Sequence, residues 1–223
     1  MDVPPVPRAM RSLLTREVAA ELAVVYGDQL VFPDRTVVDW PGDDERLFPG
    51  WPTSVLVISI ENQGVCAWGV PLGDSDPPVL VGGELLDMPD ATVQYAPSIE
   101  SFIAARRWDA VCLTREPLLQ AQAAAVDAES LAFLRGRFNE LPPTAGWPWA
   151  AQHRFDNGTT RIMLWSGKEQ CDWWISSADR SALKAVAEQL LSLSDLRVAD
   201  MRMCRSCLLP PRECAISRRA PCP

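Results

Sequence analysis

Histidine is almost absent from this sequence: a single one, His153, occurs among 223 residues. It lies in Ala-Gln-His-Arg-Phe at the start of a predicted strand, and a general base there needs a partner nucleophile that no motif supplies. A lone histidine is more often a structural residue than a catalytic one. We therefore assign no catalytic residue and predict that the protein is not an enzyme.

Long apolar runs are missing as well. No apolar stretch approaches the roughly 20 residues that a bilayer-spanning helix needs. The N-terminus has no basic segment followed by an apolar core and a small-residue cleavage site. We therefore expect a cytoplasmic protein that has no membrane partner.

Phosphate-binding glycine loops are not found either. Gly69–Gly73 and the pair Gly82-Gly83 supply neither Gly-x-x-x-x-Gly-Lys-Ser/Thr nor a Gly-x-Gly-x-x-Gly that opens a helix. Nucleotide binding is thus unsupported, and we expect no cofactor.

Positive charge is in short supply. The 21 Lys and Arg residues oppose 29 Asp and Glu, which gives a net charge of −8 and an isoelectric point near 4.7. Such a chain repels phosphate backbones and anionic lipid and attracts basic proteins. We expect no nucleic-acid partner. The remaining composition, 48% hydrophobic and 22% charged, is that of a globular protein, so we expect the 20 prolines to lie in loops rather than to mark disorder.

The seven cysteines divide into two groups. Cys66, Cys112 and Cys171 stand in apolar contexts, where a buried thiol behaves as a small hydrophobic group. Four more crowd a tail in which five Arg oppose two acidic residues. Four thiolates suit structural zinc, but the tail has one Cys-x-x-Cys rather than two. We assign no metal site and predict that residues 200–223 are disordered; zinc binding and a frameshifted end remain alternatives. The tail cysteines are Cys204, Cys207, Cys214 and Cys222.

The strongest structural signal is a β-hairpin. Val55–Ile60 is rich in β-branched residues and nearly unbroken, which is typical of a strand covered on both faces. A polar turn that includes Asn62, Gln63 and Gly64 separates it from a second apolar segment. The sequence therefore predicts a sheet around this hairpin.

Helices are predicted on both sides of this hairpin. The first is capped by Ser12 or Thr15 and ends at Gly27. The second, 99–108, carries Arg106 and Arg107 in its last turn, where they match the helix dipole. We expect a flexible segment over 1–11 and an α+β module over 12–115.

A second, smaller α+β module is predicted over 127–199, after a weakly helical connection at 116–126. It consists of a helix capped by Asp127, a hairpin of 161–165 with 171–175, and a helix that ends near Leu193. Both halves place Cys-x-Trp early in a returning strand, at Cys66 and at Cys171. Two interpretations stay open: an internal duplication, and two ordinary α+β modules that share no ancestor.

Three segments together resemble a known family. They read VLVISIENQGVCAWGV (55–70), DPPVLV (76–81) and YAPSIESFI (95–103). In this order they resemble the strand, turn, strand, proline-bearing strand and closing helix of the SMI1/KNR4-like (SUKH) superfamily, in particular its long actinobacterial members. The resemblance implies an α+β fold in which antiparallel sheet is backed by helices. It also implies a binding protein of the kind that neutralises a toxin from a neighbouring gene. The family shares no catalytic set.

These observations predict a non-enzymatic protein that binds a protein partner, in the family's case a basic toxin. The candidate contact residues are Glu61, Asn62, Gln63, Trp68, Trp173 and Trp174. Adjacent strand residues face opposite sides, so one of the last two tryptophans points away from the core. The alternative is an enzyme or small-ligand protein with a polar pocket near Glu61–Gln63. The oligomeric state stays open.

Overall fold

The protein consists of two compact units, Met1–Ala110 with Thr144–Trp149 (unit 1) and Val111–Pro143 with Ala150–Pro223 (unit 2). The structure, a computed structural model, describes residues 5–40, 51, 54–83, 93–145, 151–167, 170–193 and 196–202. It contains two antiparallel sheets, each of six described strands, together with helices. The predicted α+β class with antiparallel sheet is confirmed.

In the first sheet the strands lie in the order β1-β3-β4-β5-β6, and β2 also pairs with β3. The first elements along the chain are α1 (Arg8–Leu13), α2 (Arg16–Tyr26), β1 (Gln29–Leu30), β2 (Val38–Asp39), β3 (Val55–Ile60), β4 (Cys66–Pro71), β5 (Val79–Gly83), β6 (Val93–Ala96) and α3 (Ile99–Thr114).

In the second sheet the order is β12-β7-β11-β10-β9-β8. The remaining elements are β7 (Leu118–Ala123), α4 (Ala128–Arg137), β8 (Asn139–Ala145), β9 (Ala151–Asp156), β10 (Thr160–Ser166), β11 (Cys171–Ser177), α5 (Arg180–Leu193) and β12 (Arg197–Arg202). Strand β8 contains Pro142 and Pro143, which are tolerated because β8 is an edge strand.

Side-chain caps set the starts of three helices. Thr15, not Ser12, caps α2 and accepts the Val18 N–H at 3.3 Å. Asp127 caps α4 as predicted. Asp179 accepts the Ala182 N–H at 2.8 Å in the first turn of α5. Each cap satisfies a backbone donor that the helix itself leaves open.

The segment 1–11, predicted to be flexible, contains most of helix α1. Met10 is fully buried, and Leu14 just after the helix is 1% exposed. The Ala9 N–H donates to the Ser75 carbonyl at 3.2 Å. The two apolar side chains, four residues apart, share one helical face, and this spacing outweighs the proline-rich composition. Residues 1–4 lie outside the described residues.

Strand β3 is covered on both faces, as predicted. It pairs with β4 in an antiparallel hairpin with the polar turn between them. Leu56 and Ile58 belong to a large core that also contains residues of α2 and α3. Val55 and Val57 belong to a separate core on the other face. Two-sided burial accounts for the nearly unbroken apolar run.

Trp51 explains why two strands of this sheet carry glycine. Its side chain is 1% exposed and lies in the second core. A Cβ atom on Gly82 would stand 2.4 Å from Trp51 Nε1. A Cβ atom on Gly69 would stand 2.4 Å from Val55 Cγ1 and 3.1 Å from Trp51 Cη2. The indole therefore packs where a side chain would otherwise be.

Residues 116–126 are not a connection, because they contain strand β7 in the interior of the second sheet. It lies between β12 and β11 and runs antiparallel to both. Leu119, Ala121 and Ala123 are buried in the core of unit 2. Alanine and glutamine favour helix, but the alternate apolar positions bury one face of a strand, and this burial decides the structure.

The second hairpin is confirmed, with β10 and β11 antiparallel and β9 beside β10. One face of this sheet packs on α4 and α5 through Leu134, Leu183 and Leu190. Strand β12 follows α5 and pairs with β7. The first three residues of the predicted disordered tail, 200–202, therefore belong to a strand. The remainder of the predicted disordered tail, 203–223, lies outside the described residues.

We expect Gly82→Ala to lower the free energy of unfolding by about 1–3 kcal/mol, since the added methyl group forces the buried Trp51 ring to move. Urea unfolding followed by tryptophan fluorescence measures the change. The control is Gly136→Ala in α4, where an added Cβ meets nothing within 4 Å. That change leaves stability equal or raises it by up to about 1 kcal/mol. Equal losses in both variants would contradict the packing of Trp51 on Gly82.

Candidate functional site

A buried ion pair lies at the centre of unit 1. Arg106 Nη2 of α3 donates to Asp28 Oδ2, just after α2, at 2.8 Å, and the two residues are 4% and 8% exposed. We predicted that Arg106 and Arg107 lie in the last turn of this helix. That prediction is wrong, because helix α3 continues to Thr114. Arg106 points into the unit, and Arg107 pairs with Glu21 at the surface at 2.9 Å. No spacing rule identifies this inward arginine.

Aromatic rings surround the Arg106 guanidinium. Its central carbon is 4.3 Å from the Trp68 ring centroid, 5.5 Å from Phe102 and 6.0 Å from Tyr95. Tyr95 packs edge-on against Trp68 at 6.2 Å and against Phe102 at 5.7 Å. Rings at these distances stabilise a desolvated cation. Trp68 is therefore a buried side chain that supports Arg106 in this structure.

A small cavity adjoins the ion pair. Its volume is about 10 Å³, which is room for roughly one water molecule. Its polar lining comes from Asp28, Ser59 and Arg106, and the rest is apolar. The apolar lining residues are Leu14, Ala19, Leu22, Ala23, Leu30, Ile58 and Phe102. A metabolite does not fit in this space.

Burial and neighbouring charge shift the titration of this region. Burial raises the pKa of Asp28, the Arg106 charge opposes the rise, and the Glu61 charge adds to it. Burial also raises the pKa of the Cys66 thiol, and the Glu61 and Asp28 charges act in the same direction. A protonated, fully buried thiol is a poor nucleophile, so Cys66 is a core residue.

The predicted contact residues of the first hairpin form an ordered surface turn. Glu61 is half-buried, and its Oε2 accepts the Gln63 N–H at 2.7 Å. Gly64 takes φ +77°, which closes the turn. Gln29 Nε2 donates to the Asn62 carbonyl at 3.4 Å. Asn62 and Gln63 are exposed, so their side chains are accessible to a partner.

The two adjacent tryptophans of β11 face opposite sides of the second sheet, as predicted. Trp173 is fully buried in the core beneath the helices. Trp174 is half-buried on the other face, where its ring meets Trp165 edge-on at a centroid distance of 5.3 Å. Of the two, Trp174 is the residue with accessible ring surface.

His153 lies in strand β9 of unit 2. Its Nδ1 is 3.3 Å from Glu140 Oε1, and its ring stacks near Phe155. Glu140 also accepts two hydrogen bonds from Arg135, at 2.8 and 3.2 Å. Hydrogen bonding to Arg135 lowers the pKa of Glu140. Among the described residues His153 contacts a carboxylate and a phenyl ring, and neither offers a hydroxyl or thiol proton that it could remove.

Metal and membrane features are not found in the described part of the chain. Within it, no group of three or more His, Cys, Asp or Glu is placed to hold a metal ion. The four tail cysteines lie outside that part. No helix in the ranges described combines the length and apolarity needed to cross a bilayer.

The acidic charge of the chain is concentrated in one unit. Residues 1–110 hold seventeen Asp and Glu against seven Lys and Arg, a formal charge of −10. Residues 111–223 hold twelve acidic and fourteen basic residues, a formal charge of +2. The electrostatic attraction for a cationic partner is therefore centred on unit 1.

Comparison with family models, with curated proteins and with solved structures finds no match to this chain.

We expect Arg106→Met to lower the free energy of unfolding by about 3–5 kcal/mol, because it leaves the Asp28 carboxylate buried without its cation. Urea unfolding measures the loss. The matched control is Arg107→Met, which breaks the exposed pair with Glu21 and costs about 0–1 kcal/mol. The double variant Asp28→Asn/Arg106→Met loses less than the sum of the two single changes. Equal costs for Arg106→Met and Arg107→Met would show that the buried pair is energetically unimportant.

We expect the raised pKa of Asp28 to make the free energy of unfolding depend on pH. Because its pKa is raised on folding, the folded protein holds a proton that the unfolded chain releases near pH 3.9. The contribution of Asp28 is therefore greatest at acid pH and falls as pH rises from about 3.9 to the raised value. Urea unfolding between pH 3.5 and 7, compared with Asp28→Asn, isolates this slope.

Asp179 serves as the control, because its pKa is shifted in the direction opposite to that of Asp28. Hydrogen bonds from Ser181 Oγ and the Ala182 N–H lower the pKa of Asp179. Its contribution is present above the ordinary pKa and is lost as pH falls through the lowered value. The stability difference between the protein and Asp179→Asn should therefore change with pH in the direction opposite to that for Asp28→Asn. Parallel slopes would contradict the raised pKa of Asp28.

Proposed function

We propose that the protein is a non-enzymatic binding protein whose partner is a cationic protein. By its resemblance to the SMI1/KNR4-like superfamily, the partner is a toxin encoded by a neighbouring gene, and binding neutralises it. Cytoplasmic residence belongs to the same proposal, since a toxin produced in the cell is met there.

The observation that carries this proposal is the formal charge of −10 on residues 1–110, against +2 on residues 111–223. A concentrated negative field steers a basic protein to one part of the molecule and raises the association rate. The same field repels nucleic acid and anionic lipid. A protein partner with a basic surface is the class of molecule that this distribution favours.

The packing and hydrogen bonding of unit 1 support the same function. The Asp28–Arg106 pair joins the end of α2 to α3, and Trp68 of β4 packs on the guanidinium. The adjoining turn is held by Glu61 and Gln29. A surface that is already ordered loses little conformational entropy on binding. Ordered elements of this kind suit recognition by preformed contacts.

The alternative of a polar pocket near Glu61–Gln63 has less support. The cavity beside the ion pair holds about one water molecule, and its lining does not include Glu61. Asp28, the titratable group there with a raised pKa, is already paired with Arg106. An enzyme site needs room for a substrate beside its reactive groups.

The first test is co-expression of the chain with the product of the adjacent gene. We expect rescue of growth and a stoichiometric complex after purification. Affinity capture followed by mass spectrometry identifies the partner independently, and we expect an isoelectric point above 9. An acidic partner, or no complex with any protein, would overturn the proposal.

We expect Asp74→Lys/Asp76→Lys to slow association with that partner about tenfold at low ionic strength, since both carboxylates are exposed in the acidic unit. Stopped-flow or surface plasmon resonance at several salt concentrations measures the rate. The matched control is Glu129→Lys/Glu188→Lys, which makes the same change of charge at exposed positions of unit 2. Equal slowing by both pairs would show that the charge of unit 1 does not direct association.

A further inference from the structure

A second feature of the molecule combines a carboxylate with two aromatic rings, all half-buried, on the face of the second sheet opposite to α4 and α5. Trp165 of β10 lies directly across from Asp172 of β11 in the strand register. Trp174 follows Asp172 by two residues and therefore shares its face. We call these three residues the Asp172 cluster. The helices α4 and α5 cover the other face, where Trp173 is buried.

The carboxylate of the cluster is held in place by two amides. Gln122 Nε2 of β7 donates to Asp172 Oδ1 at 3.0 Å, and Gln170 Nε2 donates to the same oxygen at 2.8 Å. Asp172 forms no ion pair with any residue that the structure describes. Two neutral donors orient the group without cancelling its charge. A half-buried carboxylate so oriented is prepared to receive a cation.

Among the described residues, the arginines Arg161 and Arg197 do not pair with Asp172. Arg197 of β12 stands opposite Gln122, which stands opposite Asp172. Two strand spacings therefore separate the Cα atoms of Arg197 and Asp172 by about 10 Å. Arg161, further along β10, is engaged with Asp156 at 2.8 Å. Neither of these two arginines cancels the charge of Asp172.

The two rings make the site selective for a flat cation. Trp165 and Trp174 are both half-buried and meet edge-on at 5.3 Å. A guanidinium group is planar, stacks on indole and donates two parallel hydrogen bonds to a carboxylate. An ammonium group is a compact, strongly hydrated point charge and gains less from the rings. Carboxylate and indole on one surface thus match arginine better than lysine.

We propose that the Asp172 cluster is the binding site for an arginine side chain of the protein partner. The guanidinium pairs with the Asp172 carboxylate and stacks on the accessible face of Trp174. This inference rests on the proposed function for the identity of the partner, but the site itself is tested without that partner.

The probe is a capped Gly-Arg-Gly peptide, titrated into the full chain while the indole N–H resonances are followed by NMR. Trp165→Phe and Trp174→Phe assign the two signals. We expect both signals to shift in a saturable manner. We expect Asp172→Asn to weaken binding at least fivefold, and the same peptide with lysine, or with neutral citrulline, to bind at least threefold more weakly. The control Glu129→Gln, an equal change of charge on α4, leaves the titration unchanged.

Three outcomes would overturn the inference. The first is that Asp172→Asn leaves the titration unaltered while the other indole signals show an intact fold. The second is that the arginine, lysine and citrulline peptides bind equally. The third is that the same signals shift with protein concentration alone, which would mark a second copy of the chain as the occupant. If Asp172→Asn binds the captured partner normally while Asp74→Lys/Asp76→Lys does not, the proposed function stands and this inference fails.

Discussion

The Asp28–Arg106 pair is the interaction on which unit 1 depends. Removing two charges from water is costly, and the attraction between them repays that cost only when the geometry is good and other groups help. Here the help comes from Trp68 and the neighbouring rings, which stabilise the buried guanidinium. The pair links residues 78 positions apart, so it forms only when α2, α3 and the hairpin strand β4 are all in place.

The first sheet works as a central layer because both of its faces are apolar. One face meets the helices, and the other is closed by Trp51 lying on Gly69 and Gly82. Because these glycines have no side chain, the large Trp51 ring can lie directly on the strands. The ordered turn at Glu61 projects from a hairpin that is fixed on two sides, and this accounts for its defined hydrogen bonds.

Much of the local structure could be predicted from the sequence, because it rests on short-range patterns. Both hairpins, the caps of α2 and α4, and the opposite facing of Trp173 and Trp174 follow from spacing and residue type. Strand β7 was missed because its alanines and glutamines favour helix, and burial overrides propensity. Arg106 and the Gln122–Asp172 contact join distant segments, and no single-sequence pattern reports such pairings.

Strand β8 has a consequence for how the protein meets other chains. Its consecutive Pro142 and Pro143 are exposed and carry no backbone N–H. The N–H groups of successive strand residues point to opposite edges, so one of these two prolines removes a donor that an incoming strand would use, and this disfavours edge-to-edge sheet extension there. Contacts with other proteins along this edge are left to side chains, which distinguish one partner from another better than backbone hydrogen bonds do.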